Sequence, residues 1–414
     1  MLPASTRFTS LAALVAAWCF LLAWAALHHG RFAAEEIVDI PVYETYGNAI
    51  ERGQVPYRDF RLEYPPGALP VFALPALLSP RGGQEAFRQA FERVMAVCGV
   101  AVVLLVALVL ARLGATRVRV VAALAAVAAF PLLLGNVMLT RFDLWPTALV
   151  LAALAALVHE RDRLGFGVLG GAVAAKLFPA VLVPLALAYV WRRRGRREAL
   201  LCLGVLAAVL AVAFLPFLLL APDGLAYSFG RQLSRPLQIE SLAAAFFLAA
   251  HHLLGIDLEM RSGHGSQNLA GTGPAVAAVL LSLVQLAVLV WIWLRRPGTA
   301  AELLRWGAAA LVAFVSLGKV LSPQFLIWLA PVVPLVAGRR GLAASGLLAG
   351  ALVLTQAWFP YRYWELALEF DGVASALVLV RDLVLVALLA VLVMDRGRGA
   401  GRSRSPGRSP HRTR

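Results

Sequence analysis

The sequence predicts an all-α polytopic integral membrane protein, a bundle of about 12 transmembrane segments with two polar loops on one side. Three observations carry that prediction. Of 414 residues, 61% are hydrophobic and 15% charged, whereas soluble domains run near half apolar and about a quarter charged. The apolar residues form runs close to the roughly 20 that a helix needs to cross a bilayer, too many for a signal peptide ahead of a soluble domain. The arginines stand in short clusters between the runs, at 112–119, 161–163, 192–197, 295–296, 339–340 and beyond 395. That is the positive-inside pattern. It accounts for the net charge of +15 without nucleic acid, because no basic domain interleaved with aromatics exists.

Taken in order, the first span covers residues 9–27, and Arg7 ahead of it puts the N-terminus in the cytoplasm. A polar loop from His28 to Gly67 follows on the outer side. Residues 65–80, PPGALPVFALPALLSP, are apolar but too short to cross, and read as an interfacial or half-inserted segment. Spans follow at 87–110, 120–134 and 144–158, the last two joined by the outer turn GNVMLTRFD. The run 164–191 has two readings. One tilted helix about 40 Å long would carry the seven arginines of 192–197 and 295–296 to the outside. A hairpin with Lys176 and Pro179 at its tip keeps them in, although its arms are too short to span, and charge favours it. The same logic makes 303–338 a hairpin with Lys319 and Gln324 at its outer tip. Spans at 200–220, 275–294, 342–358 and 374–394 complete the bundle, and Arg381 with Asp382 in the last should face its interior. Residues 1–395 then form one transmembrane domain with both termini cytoplasmic. Residues 396–414, rich in Arg, Gly, Ser and Pro, form a basic disordered tail suited to anionic headgroups.

Cys19, Cys98 and Cys202 each sit inside an apolar run and read as small buried hydrophobes. His251, His252 and His264 lack the spacing of a metal site, so neither a metal nor another cofactor is expected. The later tryptophans, Trp191, Trp291, Trp293, Trp306, Trp328 and Trp358, read mostly as interface markers.

On this topology the polar islands share the outer side: the Asp39–Gly67 loop, Arg141 with Asp143, Lys176, the segment around RPLQIES, and the GK and SPQ of the second hairpin. Charge near the bilayer centre costs about 2.5 to 3.5 kcal/mol, so such groups line a cavity or pair with one another. Several islands, each interrupting an apolar segment and all on one side, point to a composite active site.

Their residues also carry a resemblance. D-x-x-x-Y at Asp39 and Tyr43, G-x-x-P-Y-R-D-F at Gly53–Phe60 and E-Y-P-P-G at Glu63–Gly67 resemble glycosyltransferase family 87. R-x-D-x-x-P at Arg141–Pro146, K-L-F-P at Lys176–Pro179, R-P-L-Q-I-E-S at Arg235–Ser241 and G-K-V-L-S-P-Q-F-L-I-W-L at Gly318–Leu329 follow in family order. The resemblance implies a GT-C fold with two extracytoplasmic catalytic loops. It also implies transfer of mannose from a polyprenyl-phosphate donor to a lipid-linked glycan, by inverting single displacement.

Such a reaction needs a base for the acceptor hydroxyl, cations for the departing phosphate and polar groups that orient the sugars. Asp39 is the candidate base, set against a plainer role as the N-cap of a following helix. Asp59 and Glu63 compete for the same role, or simply pair with Arg58 and Arg61. Lys176 and Lys319 are phosphate candidates, with snorkelling as the alternative. Arg141 and Asp143 can equally be an ion pair closing a turn. Tyr43, Arg58, Tyr64, Arg235, Gln238, Glu240 and Gln324 complete the substrate-binding set. The rival reading is a lipid or glycan transporter or flippase, which would need charges distributed along several spans.

Overall fold

The structure is a computed structural model that describes residues 4–33, 37–80 and 82–394. The basic tail expected at 396–414 lies outside the described residues. Helix α1 (Ala4–Ala26) leads to α2 (Ile40–Glu51), and α3 (Leu69–Leu78) precedes α4 (Gly83–Arg112). The short apolar segment read as interfacial is α3 with a 3-10 turn ahead of it, packed against α2 and α4. Helix α5 (Arg117–Leu134) starts at Thr116, whose hydroxyl accepts from Arg119 N. A single turn, α6 (Val137–Thr140), joins it to α7 (Leu144–Val158).

Helix α8 (Asp162–Ala175) stops at Lys176, a 3-10 turn covers Phe178–Leu182, and α9 (Val183–Arg194) returns. The hairpin reading is the correct one, and side-chain contacts prove it. Arg193 of α9 reaches Asp162, the first residue of α8, at 3.3 Å, and Arg194 meets Glu160 at 3.1 Å. Arg163 pairs with Glu198 in α10 (Arg196–Leu220) at 2.8 Å, and Arg112 pairs with Glu160 at 3.2 Å. These arginine clusters therefore share one face of the bundle, here called the arginine face. A physical rule about bilayers had already separated two readings that periodicity alone leaves open.

After α10 the expected polar loop is in fact built. It contains α11 (Pro222–Leu233), β1 (Leu237–Gln238), α12 (Leu242–Leu254), β2 (Glu259–Gly263) and β3 (Ser266–Ala270). The strands form an antiparallel sheet in the order β1-β3-β2. Its hairpin turns on His264 and Gly265, both at positive φ (57° and 67°), the requirement of a two-residue type I′ turn. Helix α13 (Thr272–Trp293) crosses back. Helix α14 (Ala300–Ser316) begins in a capping box between Thr299 and Glu302, which satisfies two orphan donors at once.

The second hairpin is also present. The chain breaks at 317–322, forms α15 (Leu326–Leu329) and ends in a 3-10 turn at Val333–Leu335. Arg119 donates to the Leu335 carbonyl at 2.5 Å, which puts this end on the arginine face beside α5. Helices α16 (Gly338–Trp358), α17 (Tyr363–Glu369) and α18 (Gly372–Val393) close the bundle. Arg305 of α14 donates to Leu392 O at 2.8 Å, so both ends of the second hairpin lie on that face.

The structure supports a multi-span bundle without confirming a count of about 12. Among the described residues, seven helices are long and apolar enough to cross a membrane: α1, α4, α5, α10, α13, α16 and α18. Helices α7, α8, α9 and α14 have 15, 14, 12 and 17 residues. The reason is solvent. Most residues of α7 and α14 are buried against protein, so these helices need not match the hydrocarbon thickness that sets the length of a lipid-facing one. By contrast α10 buries only Ala199, Cys202 and Leu206. The tryptophans also need correction. Trp306, Trp328 and Trp358 are buried core residues, whereas Trp191 and Trp291 are exposed as expected.

Candidate active site

The polar islands meet at the end of the bundle opposite the arginine face. Asp39 ends the irregular stretch before α2 and precedes its first residue, yet its side chain makes no capping bond. Its carboxylate pairs instead with Arg141 in the α6–α7 turn and accepts from the Tyr43 hydroxyl at 3.2 Å. Arg141 is buried, with its second nitrogen donating to Ile37 O at 3.0 Å, while the Asp39 side chain stays 30% exposed. The cation thus sits behind the carboxylate, and the carboxylate faces the open side.

Two residues on, Asp143 looks the other way. It is fully buried, and its Oδ1 accepts from Lys176 Nζ and from the Trp328 indole, each at 2.6 Å. The alternative reading of Arg141 and Asp143 as a pair closing the turn does not hold, since each residue takes a partner from a different element. Lys176 lies among the rings of Phe142 (4.7 Å), Trp328 (5.2 Å) and Phe325 (5.9 Å), a cation–π box. Phe178 stacks on Trp328 at 3.9 Å with 1° between the planes. Asp143 thereby joins the tips of both hairpins. Trp328 is the residue sequence reasoning missed, although its place in L-I-W-L just after SPQ could have flagged it.

The third group comes from the segment between α11 and α12. Glu240 is buried, bonded to the Gln238 amide, and its Oε1 has no hydrogen-bond partner. Arg141 and Arg235 are near enough for their charges to act on it. Burial nevertheless dominates and pushes its carboxyl up to about 8. A raised acid pKa means that the folded state holds the proton longer, so stability falls as pH rises from the ordinary carboxylate range toward 8. Glu240→Gln is expected to flatten the melting temperature against pH over that window, measured in detergent; an unchanged slope would assign it elsewhere.

An outer tier surrounds these groups. Glu63 pairs with Arg231 of α11 at 2.8 Å rather than with Arg58 or Arg61, and Arg61 lies over the Tyr227 ring at 4.9 Å. Arg235 Nε is buried without a partner. Lys319 Nζ donates to Leu233 O at 2.9 Å, and its carbonyl accepts from Gln238 N at 3.0 Å, so it holds the RPLQIES segment. Gln324 accepts from Ser322 Oγ at 3.1 Å beside Phe325. Tyr64 packs edge-on against Tyr43 and Phe142, at 5.9 and 5.0 Å.

Arg58 and Asp59 are not drawn in. They pair with each other at 2.9 Å on an exposed loop, and the Arg58 hydrogen bond holds the Asp59 carboxyl below its ordinary range. Gly67 explains why E-Y-P-P-G ends in glycine. A Cβ there would lie 2.5 Å from the Ala174 carbonyl carbon at the end of α8, and the Gly67 carbonyl accepts from the Trp145 indole at 3.0 Å.

The profile of glycosyltransferase family 87 matches residues 62–323, well over half of the chain, and spans the α6–α7 turn, both lysines and the RPLQIES segment. The chain belongs to glycosyltransferase family 87. It is a multi-pass membrane protein. Two solved structures are similar in outline. One is the apo oligosaccharyltransferase of Archaeoglobus fulgidus (14% identity, TM-score 0.45), where the match covers 93% of this chain and 55% of the other. The present chain thus spans about half of that enzyme's length. The other is ArnT from Cupriavidus metallidurans bound to undecaprenyl phosphate (15% identity, TM-score 0.49), with 94% and 77% covered. No curated protein matches the chain. Among the described residues of this family 87 chain, no group of three or more His, Cys, Asp or Glu stands close enough to hold a metal ion.

Proposed function

We propose that this glycosyltransferase moves mannose from a polyprenyl-phosphate donor to a lipid-linked glycan on the extracytoplasmic side, by inverting single displacement. The observation that carries the reading is the partly exposed Asp39 backed by buried Arg141, at the meeting point of polar islands from both halves of the chain. In this reading Asp39 takes the proton of the acceptor hydroxyl as its oxygen attacks the anomeric carbon, and the bond from that carbon to the donor phosphate breaks on the opposite face. The sugar forms one bond and loses one, and the prenyl phosphate leaves with the electron pair.

Cations for that phosphate follow from what is left uncommitted. Lys176 is neutralised by Asp143, Arg231 by Glu63, and Arg141 by Asp39. Among the described residues, Arg235 and Lys319 form no ion pair with a carboxylate and lie near each other, which supports them as the phosphate pair. Tyr43, Tyr64, Gln238, Glu240 and Gln324 are assigned to the sugar hydroxyls, while Arg58 and Asp59 pair with each other on an exposed loop outside the cluster. The chemistry assigned to these residues needs no cofactor. The reading also places both termini in the cytoplasm, with the arginine face inward.

Membranes containing the protein, given labelled polyprenyl-phosphate mannose, are expected to transfer the label to lipid-linked material. Preference for a pentose-bearing carrier would remove mannose as the donor sugar. For sidedness, Leu233 is 76% exposed, and a cysteine there should react with an impermeant maleimide from outside intact cells. Reaction only after the membrane is opened would invert the orientation.

A further inference from the structure

Helix α18 lies beyond the end of the family match at residue 323, and it carries two charges that no sugar or phosphate can touch. Arg381 and Asp382 are both 0% exposed and pair at 2.6 Å. Burying such a pair in a membrane helix is costly, and polar groups within spans persist where they serve a site. The Arg381 guanidinium also donates from Nη2 to the Glu240 carbonyl at 2.7 Å. That carbonyl belongs to the segment that presents Arg235, Gln238 and the Glu240 carboxylate.

The rest of that segment is held from other directions. Gln238 N donates to Lys319 O, Ile239 N to Gln267 O and Ser241 N to Gln238 O, each at 3.0 Å. Leu237 pairs with Leu269 in the sheet. Among the hydrogen bonds of the described residues, the Arg381 contact alone ties the Glu240 carbonyl to the membrane bundle. Asp382 sets the guanidinium plane from one side, and the Trp358 ring lies 5.8 Å from its centre on α16.

We propose that Arg381, oriented by Asp382, is a positioning residue that fixes the 235–241 segment, and with it Arg235 and the Glu240 carboxylate, in register with Arg141 and Asp39. The role in transfer rests on the transferase reading above; the mechanical role does not. It extends the active site's support to the C-terminal helix.

Replacing a buried ion pair by apolar residues of similar size is commonly neutral or stabilising, whereas removing one partner is costly. The double variant Arg381→Met with Asp382→Leu should therefore fold and keep its melting temperature in detergent, while Arg381→Lys retains one donor and serves as the conservative rescue. Hydrogen exchange of the detergent-solubilised proteins is measured first. In the double variant the amides of Gln238, Ile239 and Ser241 should exchange at least tenfold faster, with α1, α4 and α16 unchanged, and Arg381→Lys should restore much of the protection. Transfer from polyprenyl-phosphate mannose is measured next. The turnover number should fall about 100-fold, the scale of a small misplacement of reacting groups, with KM for donor changed less than threefold, and Arg381→Lys should recover a tenth or more of the rate. Unchanged exchange in 235–241 overturns the proposal whatever the activity. Faster exchange with undiminished turnover overturns the role in transfer. If the wild-type protein transfers no mannose while exchange responds as stated, the positioning contact stands and the donor assignment falls.

Discussion

Asp39→Asn is expected to lower glycosyl transfer by about 10²- to 10⁴-fold, the range over which a positioned base contributes, with expression and membrane insertion preserved. Asparagine keeps the shape and still accepts from Tyr43, but it cannot hold the proton of an attacking hydroxyl. It also leaves buried Arg141 without its carboxylate, and stranding a buried charge costs roughly 3–5 kcal/mol. Activity loss and destabilisation must therefore be separated. Asp39→Glu retains the charge, so it should keep the melting temperature while losing activity through displacement of its oxygens. The double variant Asp39→Asn with Arg141→Gln should recover stability without recovering transfer. Full activity of Asp39→Asn in membranes would move the role of base to Glu63.

Lys176→Met should be among the most destabilising single changes. It strips Asp143, fully buried, of the one cation that forms an ion pair with it among the described residues, and the Trp328 indole cannot neutralise a carboxylate. A cost of about 3–5 kcal/mol follows, read as a large fall in melting temperature or in yield of folded protein. Asp143→Asn with Lys176→Met should recover most of it, because two neutral side chains of similar volume then fill the aromatic box. If Lys176→Met proves stable but raises KM for the donor, the lysine holds the phosphate after all and Asp143 merely parks it between turnovers.

The outline of this fold was legible because it is written in local features. Helix α7 begins and ends where its apolar run does, between Asp143 and His159. Both hairpins were resolved by asking where arginines can reside, a question of solvent and not of propensity. The wiring of the site was not legible. Arg141 stands two residues from Asp143 and pairs with Asp39, and Glu63 stands two residues from Arg61 and pairs with Arg231. Such choices depend on which elements meet in space, and sequence spacing carries no trace of them. The small sheet was missed because its strands are short and polar, with β2 largely exposed, so no alternation of apolar residues announces it. Trp328 was read as an interface residue because tryptophan usually is one in membrane proteins.

Helices α7, α8, α9 and α14 have a consequence for how the protein is made. A segment of 12 to 17 residues that stops short of the far side exposes unpaired backbone and a lysine or aspartate to hydrocarbon unless other helices already surround it. The surrounding wall is built from later elements: α10 and α14 pack against the first hairpin, and α18 packs against α14. Each hairpin must therefore wait, held by the insertion machinery or sheltered by its own partner arm, until the wall closes. The Asp143–Lys176–Trp328 contact, which spans 185 residues of sequence, is then among the last to form. A nascent chain cut between Lys176 and Trp328 carries the carboxylate and the lysine without the ring that seats them.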